Sequence, residues 1–233
     1  MTDFTGGEWR SLVDGSIVPA IPDSAVARWP YDDNEGSTAR DTAGDNPATL
    51  NNNPTWVSGD WIGGYALDFD PTNAEYTTAN VVGEISLGGS WGVYCTFRAD
   101  GDGSGERIIW SQYDGTDSVA LSYDGSNLRL QTFDGGASSY DDGVSVSVTT
   151  NTRHRAVCVS NEGTLSIYLN DGDEQTGSIS NNINMPVSNQ EFATAGNTDD
   201  GFYFSGVIDE PIAVDKVPSS QDITDDYRRQ PWS

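Results

Sequence analysis

Lysine and histidine are nearly missing from this chain: Lys216 and His154 are the only ones among 233 residues. Ten arginines complete the basic set, so 11 positive side chains face 36 carboxylates and the net charge is −25. With no basic stripe to displace phosphate counterions, nucleic acid is excluded as a partner, and an anionic membrane surface is disfavoured for the same reason. A single histidine rules out a histidine-based metal cluster and leaves a Ser–His–Asp triad dependent on His154 alone. The two cysteines, Cys95 and Cys158, cannot make a disulfide framework; both fall in apolar strand patterns and read as buried thiols, with one disulfide as the alternative. There is no apolar run of about 18 residues, so no membrane-crossing helix is expected. The opening MTDFTGGEWRSLVDGS has neither a positive n-region nor an apolar h-region and does not read as a secretory signal. No glycine loop of the phosphate-cradling kind precedes a helix.

What is abundant points elsewhere. Aspartate outnumbers glutamate 27 to 9. Near-removal of lysine with abundant Asp suits molar salt, where the Debye length of about 3 Å screens the self-repulsion of carboxylates. Twenty-four aromatic residues supply much of the burial, and 26 Gly with 10 Pro suit many short strands joined by tight turns. Segments such as YALDFD, WGVYCTFRA, RIIWSQY, SVALSYD, LRLQTFD, RAVCVS and LSIYLN follow one another with turn signals between them. In WGVYCTFRA, Trp91, Val93, Cys95 and Phe97 share one face, while Tyr94, Thr96 and Arg98 share the other. Asp-Gly pairs at 114–115, 124–125, 134–135 and 171–172 read as hairpin turns. The expectation is an all-β antiparallel sandwich. Near the end, SSQDITDDYRR predicts one short helix capped by Ser219 or Ser220, with acids in its first turn and arginines in its last. Residues 1–25 stand apart from this pattern. Trp9, Leu12 and Ile17 lie among polar residues and two prolines, and predict an arm that docks on another subunit or folds back as an extra edge strand. The sandwich proper is expected over 26–233.

The opening RWPYDDNEG, the acidic turn Asp41-Thr42-Ala43-Gly44, the strand Gly64-Tyr65-Ala66-Leu67-Asp68-Phe69, the pair RHRAV and LSIYLNDG, and the closing Gly206-Val207-Ile208-Asp209-Glu210 with its helix occur in one order. Over about 200 residues, from Arg28 to Arg229, this order resembles the laminin-G-like branch of the concanavalin A-like lectin/glucanase superfamily. The resemblance implies a jelly roll of two antiparallel sheets, one of them concave. It also suggests a structural calcium held by Asp41 and Asp209.

Glycoside hydrolysis needs two carboxyl groups flanking one sugar, about 5–9.5 Å apart. Asp209 and Glu210 are adjacent, and adjacent strand residues face opposite ways, so GVIDEPIA reads as structural and no enzyme is expected. The loop ADGDGSGERIIW places Ser111 where a helix–loop–helix calcium site needs Glu, and reads as a solvated hairpin. Tyr113 and Tyr140, at turns beside acids, are the candidate ligand contacts, because tyrosine stacks on a sugar and donates a hydrogen bond. The reading is a non-enzymatic, lectin-like surface module of a high-salt assembly, such as a virion appendage. Its partners would be a cell-envelope glycan and, through residues 1–25, other subunits. The alternatives are a stand-alone glycan-binding domain of a haloarchaeal surface protein and, less so, a glycoside hydrolase.

Overall fold

β-branched and aromatic residues alternating with polar ones, punctuated by Gly, Asn and Asp turns, build eighteen short strands and one α-helix among the described residues of the computed structural model. It describes residues 22, 24–59, 61–80, 89–101, 105–113, 117–133, 141–170, 172–178, 191–196 and 202–228, with backbone alone at 12–13, 16–17 and 141–142. In chain order the strands are β1 (Leu12–Val13), β2 (Ser16–Ile17), β3 (Ala25–Arg28), β4 (Thr38–Ala39), β5 (Ala48–Asn51), β6 (Thr55–Ser58), β7 (Tyr65–Phe69), β8 (Tyr76–Asn80) and β9 (Trp91–Ala99). There follow β10 (Arg107–Tyr113), β11 (Ser118–Tyr123), β12 (Asn127–Phe133), β13 (Asp141–Ser147), β14 (Arg153–Asn161), β15 (Thr164–Leu169), β16 (Gln175–Ser178), β17 (Glu191–Thr194) and β18 (Gly206–Val214), then helix α1 (Ser220–Arg228).

Two eight-stranded antiparallel sheets form the sandwich. One runs β16-β15-β14-β9-β18-β7-β6 with β3 also on β18; the other runs β13-β12-β11-β10-β17-β8-β5-β4. The all-β sandwich read from the sequence is therefore the fold observed. In the predicted arm, β1 pairs with β2 as a small hairpin, and β3 already belongs to the sandwich from Ala25 onward. Trp9 and most of the arm lie outside the described residues.

Between the sheets lies the main core. Trp91, Val93, Cys95 and Phe97 all enter it, as the alternation of β9 predicts. An aromatic column joins the layers: Trp29 stacks on Phe192 at 4.9 Å, Phe192 on Trp110 at 5.9 Å, and Trp110 meets Trp91 edge-on at 6.1 Å. Such pairs are worth about 0.5–1.5 kcal/mol each beyond the area they bury. Cys95 and Cys158 are free, buried thiols. The opposite face of β9 is covered as well: Tyr94, Val157, Ile212 and Val214 form a second apolar cluster under Ile223 of α1. Ser219 caps that helix, its hydroxyl accepting from the Asp222 N–H at 3.1 Å while the Asp222 carboxylate accepts from the Ser219 N–H at 2.9 Å.

Candidate functional site

Beside β6, the edge strand of the first sheet, β7 runs out through Asp68-Phe69-Asp70, and Pro71–Asn73 forms one 3-10 turn capped by the Asp70 side chain, which accepts from the Thr72 N–H at 2.8 Å. The chain then doubles back through Ala74, held left-handed at φ 54°, into Glu75. This short turn, the end of β9 and the approach to β18 enclose a cleft of about 430 Å³ lined by Thr55, Asp68, Asp70, Asn73, Glu75 and Asp100, among others. That volume falls in the range of small-ligand sites, about 300–1,000 Å³. Glu75 is 5% exposed and rigidly held: one oxygen accepts from the Asp70 N–H at 2.8 Å and the other from the Asn73 amide at 3.2 Å. Burial, then the neighbouring Asp100 charge, raises the Asp68 carboxyl above the usual carboxylate range, with Arg98 opposing. Asp70 is lowered by its hydrogen bonds from Thr72. The wall is thus rich in hydrogen-bond acceptors, with the Asn73 amide already engaged by Asp70 and Glu75 and hydroxyls at Thr55 and Ser205, suited to a neutral ligand rich in hydroxyls and hostile to an anion.

A second constellation sits where β18 changes neighbours. Its first half pairs with β7 and its second with β3, and a bulge from Asp209 to Ile212 bridges the switch, with Glu210 left-handed at φ 46°. The bulge breaks the alternation expected of the adjacent pair, so Asp209 and Glu210 enter one buried network, both 0% exposed. Arg28 on β3 reaches Glu210 through both Nε and Nη2. Arg155, fully buried on β14, forks onto Asp226 of α1 at 2.8 and 3.0 Å, donates to Thr96 Oγ1 and lies 3.6 Å from Glu210 Oε2. Its guanidinium also lies over the Tyr94 ring. Asp209 Oδ2 accepts the Ile62 N–H at 2.8 Å, while Asp32 sits against the same turn at Gly63 and faces the Tyr65 N–H. The network ties β3, β14, β18 and α1 together. With no exposure, neither Asp209 nor Glu210 is accessible to a sugar.

The other residues singled out in the sequence have these surroundings. Asp41 holds its own turn: Oδ1 accepts from the N–H groups of Arg28, Ala43 and Gly44, each at 2.9 Å, and Oδ2 from that of Asn46 at 3.1 Å. The charged groups that reach Asp209 are Glu210, Asp32 and Arg155. Among the described residues no three His, Cys, Asp or Glu side chains are arranged to hold a metal ion. Tyr113 ends β10 opposite Ser118 and Glu191 and is not part of the cleft wall. Tyr140 lies outside the described residues. His154 is tied down, Nε2 to the Thr149 carbonyl at 2.9 Å and Nδ1 to the Asn170 amide at 3.2 Å, and burial lowers its pKa. At 6% exposure it is a buried imidazole with both ring nitrogens occupied. The cleft was missed there, although Asp70-Pro71-Thr72-Asn73 carries a helix-cap signal directly after a strand.

No family model matches the chain, and no curated protein matches it. Solved structures do. Domain 4 of an extracellular GH43 arabinanase from Geobacillus stearothermophilus, solved with arabinotriose, superposes with a TM-score of 0.68 at 19% identity over 87% of this chain and 97% of that one. The botulinum neurotoxin serotype D binding domain gives 0.69 at 16% identity over 90% of this chain and 53% of that one, so this chain spans about half its length. A serotype D ligand-binding domain in complex with N-acetylneuraminic acid gives 0.66 at 16% identity. At such identities the likeness is one of fold: this chain shares its β-sandwich with binding domains of a hydrolase and of toxins.

Proposed function

We propose that this chain is a non-catalytic, lectin-like module that binds a neutral glycan in the cleft between the 68–75 turn and Asp100. The observation that carries the reading is the cleft itself, where Asp70 and Glu75 are fixed by hydrogen bonds and Asp68 and Asp100 complete a wall of acceptors for sugar hydroxyls. Similar sandwiches solved with arabinotriose and with N-acetylneuraminic acid support a saccharide as the ligand class. The four carboxylates favour the uncharged sugar over the acidic one. A charge of −25 with one lysine supports a high-salt setting, and the hydrophobic N-terminal arm supports attachment to a larger assembly such as a virion surface.

Calorimetric titration with arabinan, galactan and glucan oligosaccharides and with sialyllactose, in concentrated salt, tests the proposal. Binding of a neutral oligosaccharide that weakens at least tenfold in Asp68→Asn and Asp100→Asn, without release of reducing sugar, is the expected result. Tenfold is about 1.4 kcal/mol, the worth of one hydrogen bond to a charged group. Binding unaffected by both substitutions, or turnover of any substrate, overturns it.

A further inference from the structure

Positive charge is scarce in this chain, yet two of its ten arginines stand side by side next to the cleft. Direct Cα partners carry one row across five strands of the first sheet: Arg153 on β14, Arg98 on β9, Val207 on β18, Asp68 on β7 and Thr55 on β6. Partners in register point to the same face. Phe97, Ile208 and Leu67, beside this row on the same strands, enter the main core, so the row itself lies on the outer face. Thr55 and Asp68, at one end of it, line the cleft. With strands about 4.8 Å apart, the two arginines follow Asp68 at about 10 and 14 Å, the reach of the next sugar or two of an oligosaccharide.

Beneath the arginines lies an aromatic floor. Trp61 is 5% exposed and clusters with Ala66 and Val207. The Arg153 guanidinium lies 4.4 Å from the centroid of its ring and that of Arg98 lies 5.9 Å away. Gly59 borders the same ring, where a Cβ would come within 3.4 Å of the indole. Stacking occupies the face of a guanidinium and leaves its N–H edge for an acceptor. Like charges directly opposite on neighbouring strands are unfavourable. Arg98 is loosely compensated: Asp100 lies 3.5 Å from its Nε, beyond ordinary hydrogen-bond length, and the two side chains are 35% and 36% exposed. Balancing Asp68 and Asp100 accounts for Arg98, but not for a second arginine opposite it over the same ring.

We infer that this ledge binds an anionic group, a carboxylate or a sulfate ester, on a sugar one or two units along from the neutral one in the cleft. The inference rests on the cleft reading and narrows its ligand to a glycan with neutral and acidic units in sequence. A guanidinium fork meets either anion in two-point contact. The cleft acids repel an anion and the arginines accept it further along, so opposite charges at the two ends of the row fix the direction in which the glycan lies.

The test is calorimetric titration of the full chain in concentrated salt, where general attraction and repulsion are screened. The ligands are the arabinan, galactan and glucan oligosaccharides used for the cleft, each beside a counterpart oxidised to the uronate at one primary hydroxyl and a counterpart sulfated there. The expected result is an anionic counterpart that binds at least tenfold more tightly than its neutral parent, and the one that does so identifies the anion. The ratio of the two affinities should fall to about one in Arg98→Gln and in Arg153→Gln. It should persist in part in Arg98→Lys, which keeps the charge and loses the fork. In Asp68→Asn both affinities should fall while the ratio stays at ten or more. Anionic counterparts that bind no better than their neutral parents overturn the inference and leave the cleft reading standing. A ratio that survives in both Gln variants overturns it as well, since the anion then lies elsewhere. A wild type that binds no member of the set overturns both readings.

Discussion

Replacing Arg155 by methionine should be among the most damaging single changes in the molecule. The guanidinium is fully buried, donates to Asp226, Thr96 Oγ1 and the Glu210 carbonyl, and lies over Tyr94. Methionine keeps most of the apolar volume, so the loss comes from removing the two charge-assisted bonds that the 5%-exposed Asp226 carboxylate accepts and from weakening the compensation of Glu210. Removing one partner of a buried ion pair costs about 3–5 kcal/mol. For a domain of this size each kcal/mol moves Tm by about 2–4 °C, so Tm should fall by roughly 6–20 °C. The double variant Arg155→Met/Asp226→Leu removes both charges and should recover most of that loss, because a well-packed apolar pair often equals a buried ion pair. Equilibrium unfolding in guanidinium chloride, at two added salt concentrations, reads both quantities. A single-variant cost below about 1 kcal/mol, the worth of an exposed pair, would refute the reasoning. So would a double variant no more stable than the single one.

Two further outcomes follow from the same charges. Burial, then Glu210, raises the Asp32 carboxyl from 3.8 to about 6. The folded state therefore holds that proton more tightly than the unfolded one. The resulting stabilisation is present below pH 3.8 and is lost as pH climbs through that window to about 6. Allowing for the solvent screening of a part-exposed group, the loss is about 1–2 kcal/mol, and Asp32→Asn should flatten the stability–pH curve there in chelated buffer. An unchanged slope in that variant refutes the assignment. With 36 carboxylates against 11 basic residues, Tm of the wild type should also rise steeply between about 0.1 and 2 M salt; a curve flat in salt removes the argument for a high-salt setting.

The sandwich was legible because local pattern and burial agree along each strand. The alternation of β9, Trp91 included, and the Ser219 cap could be read from short windows of sequence. The sites were not, because they are assembled across distance. Arg28 and Glu210 lie 182 residues apart, and Arg155 and Asp226 lie 71 apart. The cleft joins Asp68, Asp100 and Ser205 from three stretches of chain. Excess charge hides it further: where 36 residues are acidic, no single carboxylate stands out. Strand alternation also misleads at Asp209–Glu210, since a bulge is the one place where neighbours need not face opposite ways. The better signal lay in the rare residues. Arginines set in the apolar patterns around VARW and RHRAV are costly to bury, and each implied an acid brought to it from elsewhere.

The proposed high-salt setting would account for one kind of acid in this molecule and would leave the other unexplained. Carboxylates on the open surface are hydrated, and at molar salt a Debye length of about 3 Å makes their repulsion cheap. Composition drift toward aspartate can therefore populate such positions with little consequence. Asp209 is beyond that protection. It has no exposure, and mobile ions do not screen a charge they cannot approach. Glu210 beside it is held in a left-handed conformation that a β-strand residue avoids. A general pressure toward acidity explains neither the burial nor the strain; burial, then the Glu210 charge, raises the Asp209 carboxyl well above the usual carboxylate range and favours its neutral form. The cleft can be judged by what it binds from solution; the corner is to be judged by what neutralises it in the folded state.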